Sequence, residues 1–178
     1  MNKRFLTIAL VCGLLFTGIG IFVGNRHTEA KAPQDGAVQK LMGLSLTDSQ
    51  GTVQKISQWQ GKILLVNFWA TWCAPCVQEM PELSALQTEL SKNNVQLLGL
   101  GIDSPSNIKE FATKYGISYP LFSAGMEGTE LSRQMGNQAG GLPFTLLIAA
   151  DGSIAKTYLG RLKMDELRAD ISKLTGAR

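Results

Sequence analysis

The sequence predicts an α/β domain: a mixed β-sheet flanked by helices, with a β-hairpin at its N-terminal side and a transmembrane helix ahead of it. Three observations carry this reading. Ile63–Trp69 and Val95–Ile102 are apolar runs of strand length with one helical pattern between them, which makes a parallel βαβ unit. Hairpin patterns stand on both sides of that unit and add antiparallel strands. Residues 5–24 carry no charge.

A length of 178 residues suits one domain. Charged residues make up 17% and apolar residues 44%, which argues against disorder, and three cysteines are too few for a disulfide framework. The net charge of +3 owes much to the N-terminus. Without residues 1–30 the chain has 14 basic and 13 acidic side chains, which is not the footprint of a nucleic-acid binder.

Residues 1–4 form a basic cytoplasmic n-region with Lys3 and Arg4. Phe5–Gly24 is about 30 Å long as a helix, the thickness of a bilayer core. That uninterrupted length favours a retained anchor over a cleaved signal peptide, although Thr28-Glu29-Ala30 has the form of a cleavage site. Cys12 reads as a small apolar residue of this segment. Residues 25–39 are polar, contain Pro33 and Gly36, and read as a tether to a domain over 40–178; His27 has no functional reading.

Within the domain, Leu44–Thr47 and Thr52–Ile56 alternate around the turn Asp48–Gly51, a hairpin that precedes the main sheet. Ile63–Trp69 is apolar almost throughout, as expected of a central strand covered on both faces. A helix opens near Cys73 and Pro75 and runs to about Leu90, with Met80, Leu83, Leu86 and Leu90 on one face and a kink expected at Pro81. After the second strand, Asp103-Ser104-Pro105 starts a helix that runs toward Tyr115. Phe144–Ala149 and Ile154–Leu159 form a second hairpin around Ala150–Ser153. Met164, Leu167, Ile171 and Leu174 mark a terminal amphipathic helix.

The chemistry centres on Trp72-Cys73-Ala74-Pro75-Cys76. Two thiols three positions apart at a helix start close a small disulfide readily. The unpaired N–H groups and dipole of the helix end favour an anion, so the Cys73 thiolate is stabilised and Cys73 is the attacking thiol. Cys76, one turn inside, is the resolving thiol. A zinc site is disfavoured, because the two further ligands of its usual four would have to be Cys12 and His27 in the N-terminal segments. An inert structural disulfide is also disfavoured, since so short a loop constrains the unfolded chain little.

Asn67-Phe68-Trp69-Ala70-Thr71-Trp72-Cys73-Ala74-Pro75-Cys76 resembles the active-site region of thioredoxin-fold proteins. More narrowly it is similar to the membrane-tethered TlpA/ResA-like branch of bacterial extracytoplasmic thiol-disulfide oxidoreductases, over roughly Leu41–Leu174. The resemblance implies a thioredoxin-like fold with a helix-and-strand insertion between Ser104 and Gly141. Gly141-Leu142-Pro143-Phe144-Thr145 matches the loop where this fold sets a cis-proline facing the dithiol, which falls on Pro143. On spacing alone Glu79 reads as a solvated helix-face carboxylate, but the ResA-like pattern puts a Glu at this offset near the dithiol to help proton transfer. Where cytosolic thioredoxin has a buried Asp, this chain has Asn67, which cannot titrate. Trp69 reads as core. Trp72 is expected to shield the thiols and contact partners, and Trp72, Pro75, Leu142 and Pro143 form the implied substrate-binding set. Gly140 and Gly141 read equally as a flexible turn or as a site of close backbone approach.

The implied activity is extracytoplasmic disulfide reduction without a dissociable cofactor or metal. The clients implied are proteins such as apocytochrome c or copper-delivery proteins, and the electron donor is a membrane protein of DsbD or CcdA type. The Ala-Pro pair between the cysteines resembles reducing members. A thiol oxidase or isomerase, a thiol peroxidase and a non-catalytic binding module are the alternatives.

Overall fold

The computed structural model describes residues 32–176. The expected anchor over 5–24, with Cys12, and His27 of the tether lie outside them. Among the described residues no helix is long and apolar enough to cross a membrane.

A seven-stranded mixed sheet in the order β2-β1-β5-β4-β3-β6-β7 forms the frame. Its strands are β1 (Ser45–Asp48), β2 (Val53–Lys55), β3 (Ile63–Trp69), β4 (Val95–Gly101), β5 (Leu121–Ser123), β6 (Phe144–Ile148) and β7 (Ile154–Leu159). The helices are α1 (Ala32–Gly43), α2 (Ala74–Leu90), α3 (Pro105–Tyr115), α4 (Gly125–Gln134) and α5 (Met164–Thr175). The inner strands β3, β4 and β5 run parallel, while β1, β2, β6 and β7 pair antiparallel to their neighbours. The sheet is therefore mixed, as the βαβ unit and the two hairpins predict.

β3 lies between β4 and β6, and all seven of its residues are buried. That explains its unbroken apolar pattern: helices cover both faces, so no position is left for water. β7, at an edge, instead alternates half-buried with exposed positions. One core lies on the face of α2, α3 and α5 and holds Trp69, both cysteines, Met80, Leu83, Leu86, Ile108, Phe111, Leu167 and Ile171. The other holds Phe68, Leu100, Phe122, Leu131 and Met135 with residues of α1.

Local signals set most boundaries. Ser104 caps α3, its hydroxyl accepting from the Asn107 N–H at 3.2 Å, and Pro105 supplies the first turn. Pro81 sits inside α2, which continues to Leu90. Gly99 lets β4 pass beneath crowded rings: a Cβ there would come within 2.4 Å of Leu121 Cδ2 and 3.2 Å of Trp69 Nε1.

One boundary differs from the sequence reading. The stretch over 25–39 reads as a tether, yet its residues from Ala32 onward belong to α1, and Ala37, Val38 and Leu41 are buried. The folded region thus begins before residue 40. Only a few small apolar residues on one helical face mark this segment, and their value comes from the second core, where Leu41 joins Ile56 and Trp59. Leu41→Ala should therefore lower stability by about 2–5 kcal/mol, as for other large-to-small core changes. Val53→Ala, at a 65% exposed position, should change it by under about 0.5 kcal/mol. Urea midpoints of the two variants check this, and a true tether would make them alike.

Candidate active site

β3 delivers the site. From its C-terminal end the chain turns through Ala70–Trp72, with the Cys73 N–H bonded to Ala70 O at 3.2 Å, and Cys73 becomes the cap of α2. Its sulfur accepts from the Cys76 N–H at 3.4 Å, and Pro75 stands in the first turn. Cys73 and Cys76 are joined by a disulfide, with Cα atoms 5.3 Å apart. Cys73 keeps 6% exposure and Cys76 none, the asymmetry expected of an attacking and a resolving thiol. The first turn of α2 contains no acidic residue, so none of its own side chains offsets the positive helix end facing Cys73.

Trp72 is 71% exposed beside this pair, whereas Trp69 is fully buried and stacks near Phe111. Pro75 is half-buried. β6 begins at the same end of the sheet, because Phe144 pairs with Phe68. The Leu142–Pro143 loop is thereby brought to the dithiol end, and its peptide bond is cis. Pro143 is buried, its carbonyl accepting from the Gly160 N–H at 2.8 Å, while Leu142 is half-buried against both cores.

Glu79 is fully buried, not a solvated helix-face carboxylate. Its Oε1 accepts from Asn67 Nδ2 at 2.9 Å and its Oε2 from the Leu162 N–H at 3.0 Å. Burial pushes the carboxyl up to about 7, against the lowering effect of those two donors and of the Arg161 charge. Asn67 Nδ2 also donates to Thr145 Oγ1 at 3.0 Å, so strand β6 supports the residue that supports Glu79. Asn67 Oδ1, Trp69 Nε1 and the Tyr119 hydroxyl are buried without a hydrogen-bond partner. Burial, with the nearby Glu79 charge, holds the Tyr119 hydroxyl in its neutral form.

The structure thus gathers Cys73, Cys76 and Glu79 on the first turns of α2, with Trp72, Leu142 and Pro143 at the same end of the sheet. Sequence reasoning did not anticipate Asn67 as the donor to Glu79, nor Thr145 or the Leu162 N–H. Asn67 carried a signal, being the one polar residue in the apolar run of β3. A buried amide needs partners.

Comparison with known proteins agrees with this fold. The Redoxin family model matches residues 24–174. The thiol-disulfide oxidoreductase ResA of Bacillus thuringiensis is 30% identical, covering 98% of this chain and 99% of its own. That of Geobacillus thermodenitrificans is 26% identical, covering 97% of each. Among solved structures, a thiol:disulfide interchange protein of the thioredoxin family from Chlorobium tepidum matches with a TM-score of 0.67 at 24% identity, over 75% of this chain and 93% of that one, a likeness of fold. On the family match and the near full-length ResA likeness, the chain belongs to the Redoxin family, as a ResA-like thiol-disulfide oxidoreductase of the thioredoxin superfamily.

Proposed function

We propose that the protein reduces disulfides in selected client proteins outside the cytoplasmic membrane, held there by residues 5–24. The Cys73 thiolate attacks a client disulfide; one client sulfur joins Cys73 Sγ and the other leaves as a thiolate that takes up a proton. Glu79 then accepts the Cys76 proton, and Cys76 attacks Cys73 Sγ. The second client sulfur leaves as a thiolate that takes the proton held on Glu79, and the protein holds the Cys73–Cys76 disulfide. Two electrons and two protons have passed to the client. The observation that carries this reading is the burial of Glu79 one turn beyond Cys76, with a pKa raised to about 7. A carboxyl with that pKa exchanges protons at neutral pH, as a thiol relay requires.

Exposed Trp72 and half-buried Pro75 and Leu142, with Pro143 behind them, supply the surface a client meets. The clients are proteins whose paired cysteines must be kept reduced, such as apocytochrome c or copper-delivery proteins. A reductant working in an oxidising compartment needs its own supply, and a DsbD- or CcdA-like membrane protein fits that need.

Two results test this reading. In intact cells, with Cys12 replaced, acid trapping and a mass-adding alkylator should find Cys73 and Cys76 mainly reduced, and oxidised once the donor is deleted. A pair oxidised in both strains would exclude the reductase direction and leave an oxidase or an inert disulfide. In vitro, Glu79→Gln should slow client reduction about 10²-fold or more and remove an inflexion near pH 7. The sign follows from the raised pKa: the relay is a base only when ionised, so the unsubstituted rate rises with pH through about 7. An unchanged profile in Glu79→Gln would remove Glu79 from the relay.

A further inference from the structure

We infer that Asn137 is a positioning residue for client docking: its buried amide holds Gly141 so that the backbone of Leu142 faces an incoming client strand. The inference rests on the exchange reaction proposed above and adds a specificity element to it. Asn137 follows α4, in the connection to β6, and is 3% exposed. Its Nδ2 donates to Gly141 O at 2.9 Å, and its Oδ1 accepts from the Gly141 N–H at 3.1 Å. One side chain therefore engages both polar groups of one residue, the pairing that a neighbouring strand would otherwise provide.

The amide is itself fixed. The Asn137 N–H donates to Ser132 O at 3.0 Å, Nδ2 approaches Ser132 Oγ at 3.4 Å, and Asn137 O accepts from the Gly140 N–H at 2.9 Å. Ser132 belongs to α4, is 1% exposed, and follows the fully buried Leu131. The hold on Gly141 is thus transmitted from a helix packed in the core, not from a loose loop.

Gly141 is held by Asn137, and Leu142 follows it in a bend ahead of the cis bond to Pro143, with its N–H and C=O beside the clamped residue. Among the described residues no hydrogen bond engages either group. Leu142 precedes Pro143 at the dithiol end of the sheet, so a client segment carrying a disulfide that pairs with Leu142 lies alongside Cys73. The partner chemistry is an extended peptide flanking a cysteine, recognised through its backbone. A small disulfide has no such backbone and does not use this pairing.

The test compares two disulfides on the reduced full-length protein in detergent: a peptide closed by an internal disulfide, and 5,5′-dithiobis(2-nitrobenzoate). For Asn137→Ala the peptide concentration at half-maximal rate should rise about tenfold, while the maximal rate and the reaction with the small disulfide fall by under about twofold. Asn137→Asp keeps the acceptor for the Gly141 N–H and loses the donor to its carbonyl, so its rise should be intermediate. It carries the test alone if Asn137→Ala does not fold. An unchanged half-saturation, or an equal loss on both disulfides, overturns the inference, the second result meaning a structural role only. If the unsubstituted protein reduces neither disulfide, the exchange reading itself falls, a failure seen before any variant is made.

Discussion

The proposed proton chemistry depends on keeping one carboxyl out of water. Glu79 is enclosed in the core formed by α2, β3 and β6, and burial of a charge without partners is too costly to tolerate. Two donors make it tolerable, the Asn67 amide and the Leu162 N–H. They reduce the cost of ionisation without removing it, which leaves the carboxyl at about 7 instead of the ordinary 4.5. The folded state therefore holds this proton more tightly than the unfolded chain does. Stability falls as pH rises from about 4.5 through about 7, by about 3 kcal/mol in total, and is not recovered above that. Such a cost fits the relay proposed for this group.

The rest of the architecture serves that arrangement. β3 is central, so a single strand carries Asn67 under α2, touches Thr145 of β6, and leads through a short turn to the cap of the helix that bears the dithiol. Pairing of Phe68 with Phe144 sets the Leu142–Pro143 loop at the same end. Arg161, whose charge lowers Glu79, is paired with Glu82 of α2 at the surface, which ties the turn before α5 to the active helix. A half-exposed pair of this kind contributes little to stability. It marks instead how closely the region of Leu162 lies against α2.

Much of this was legible in the sequence, for local reasons. β3 announces itself because every position is buried, and α3 because Ser104 and Pro105 form its first turn. The cysteines at a helix start identify the chemistry. What was not legible depends on contacts between distant residues. The Leu162 N–H reaches Glu79 across 83 positions, and nothing local to either marks the pairing. The pattern of α1 was too sparse to separate from a polar tether until the second core supplied its partners. Asn137 carries no local signal in the sequence, because a backbone clamp leaves no periodicity.

The proton relay stands most directly on the protonation of Glu79. A carbon-13 NMR titration of its carboxyl, labelled in the oxidised protein, should give a midpoint near 7, and a higher one in Asn67→Ala, where a donor to the carboxylate is gone. A midpoint in the ordinary carboxylate range, unmoved by loss of Asn67, would mean that the buried site does not tune this group and would contradict the proton relay built on it.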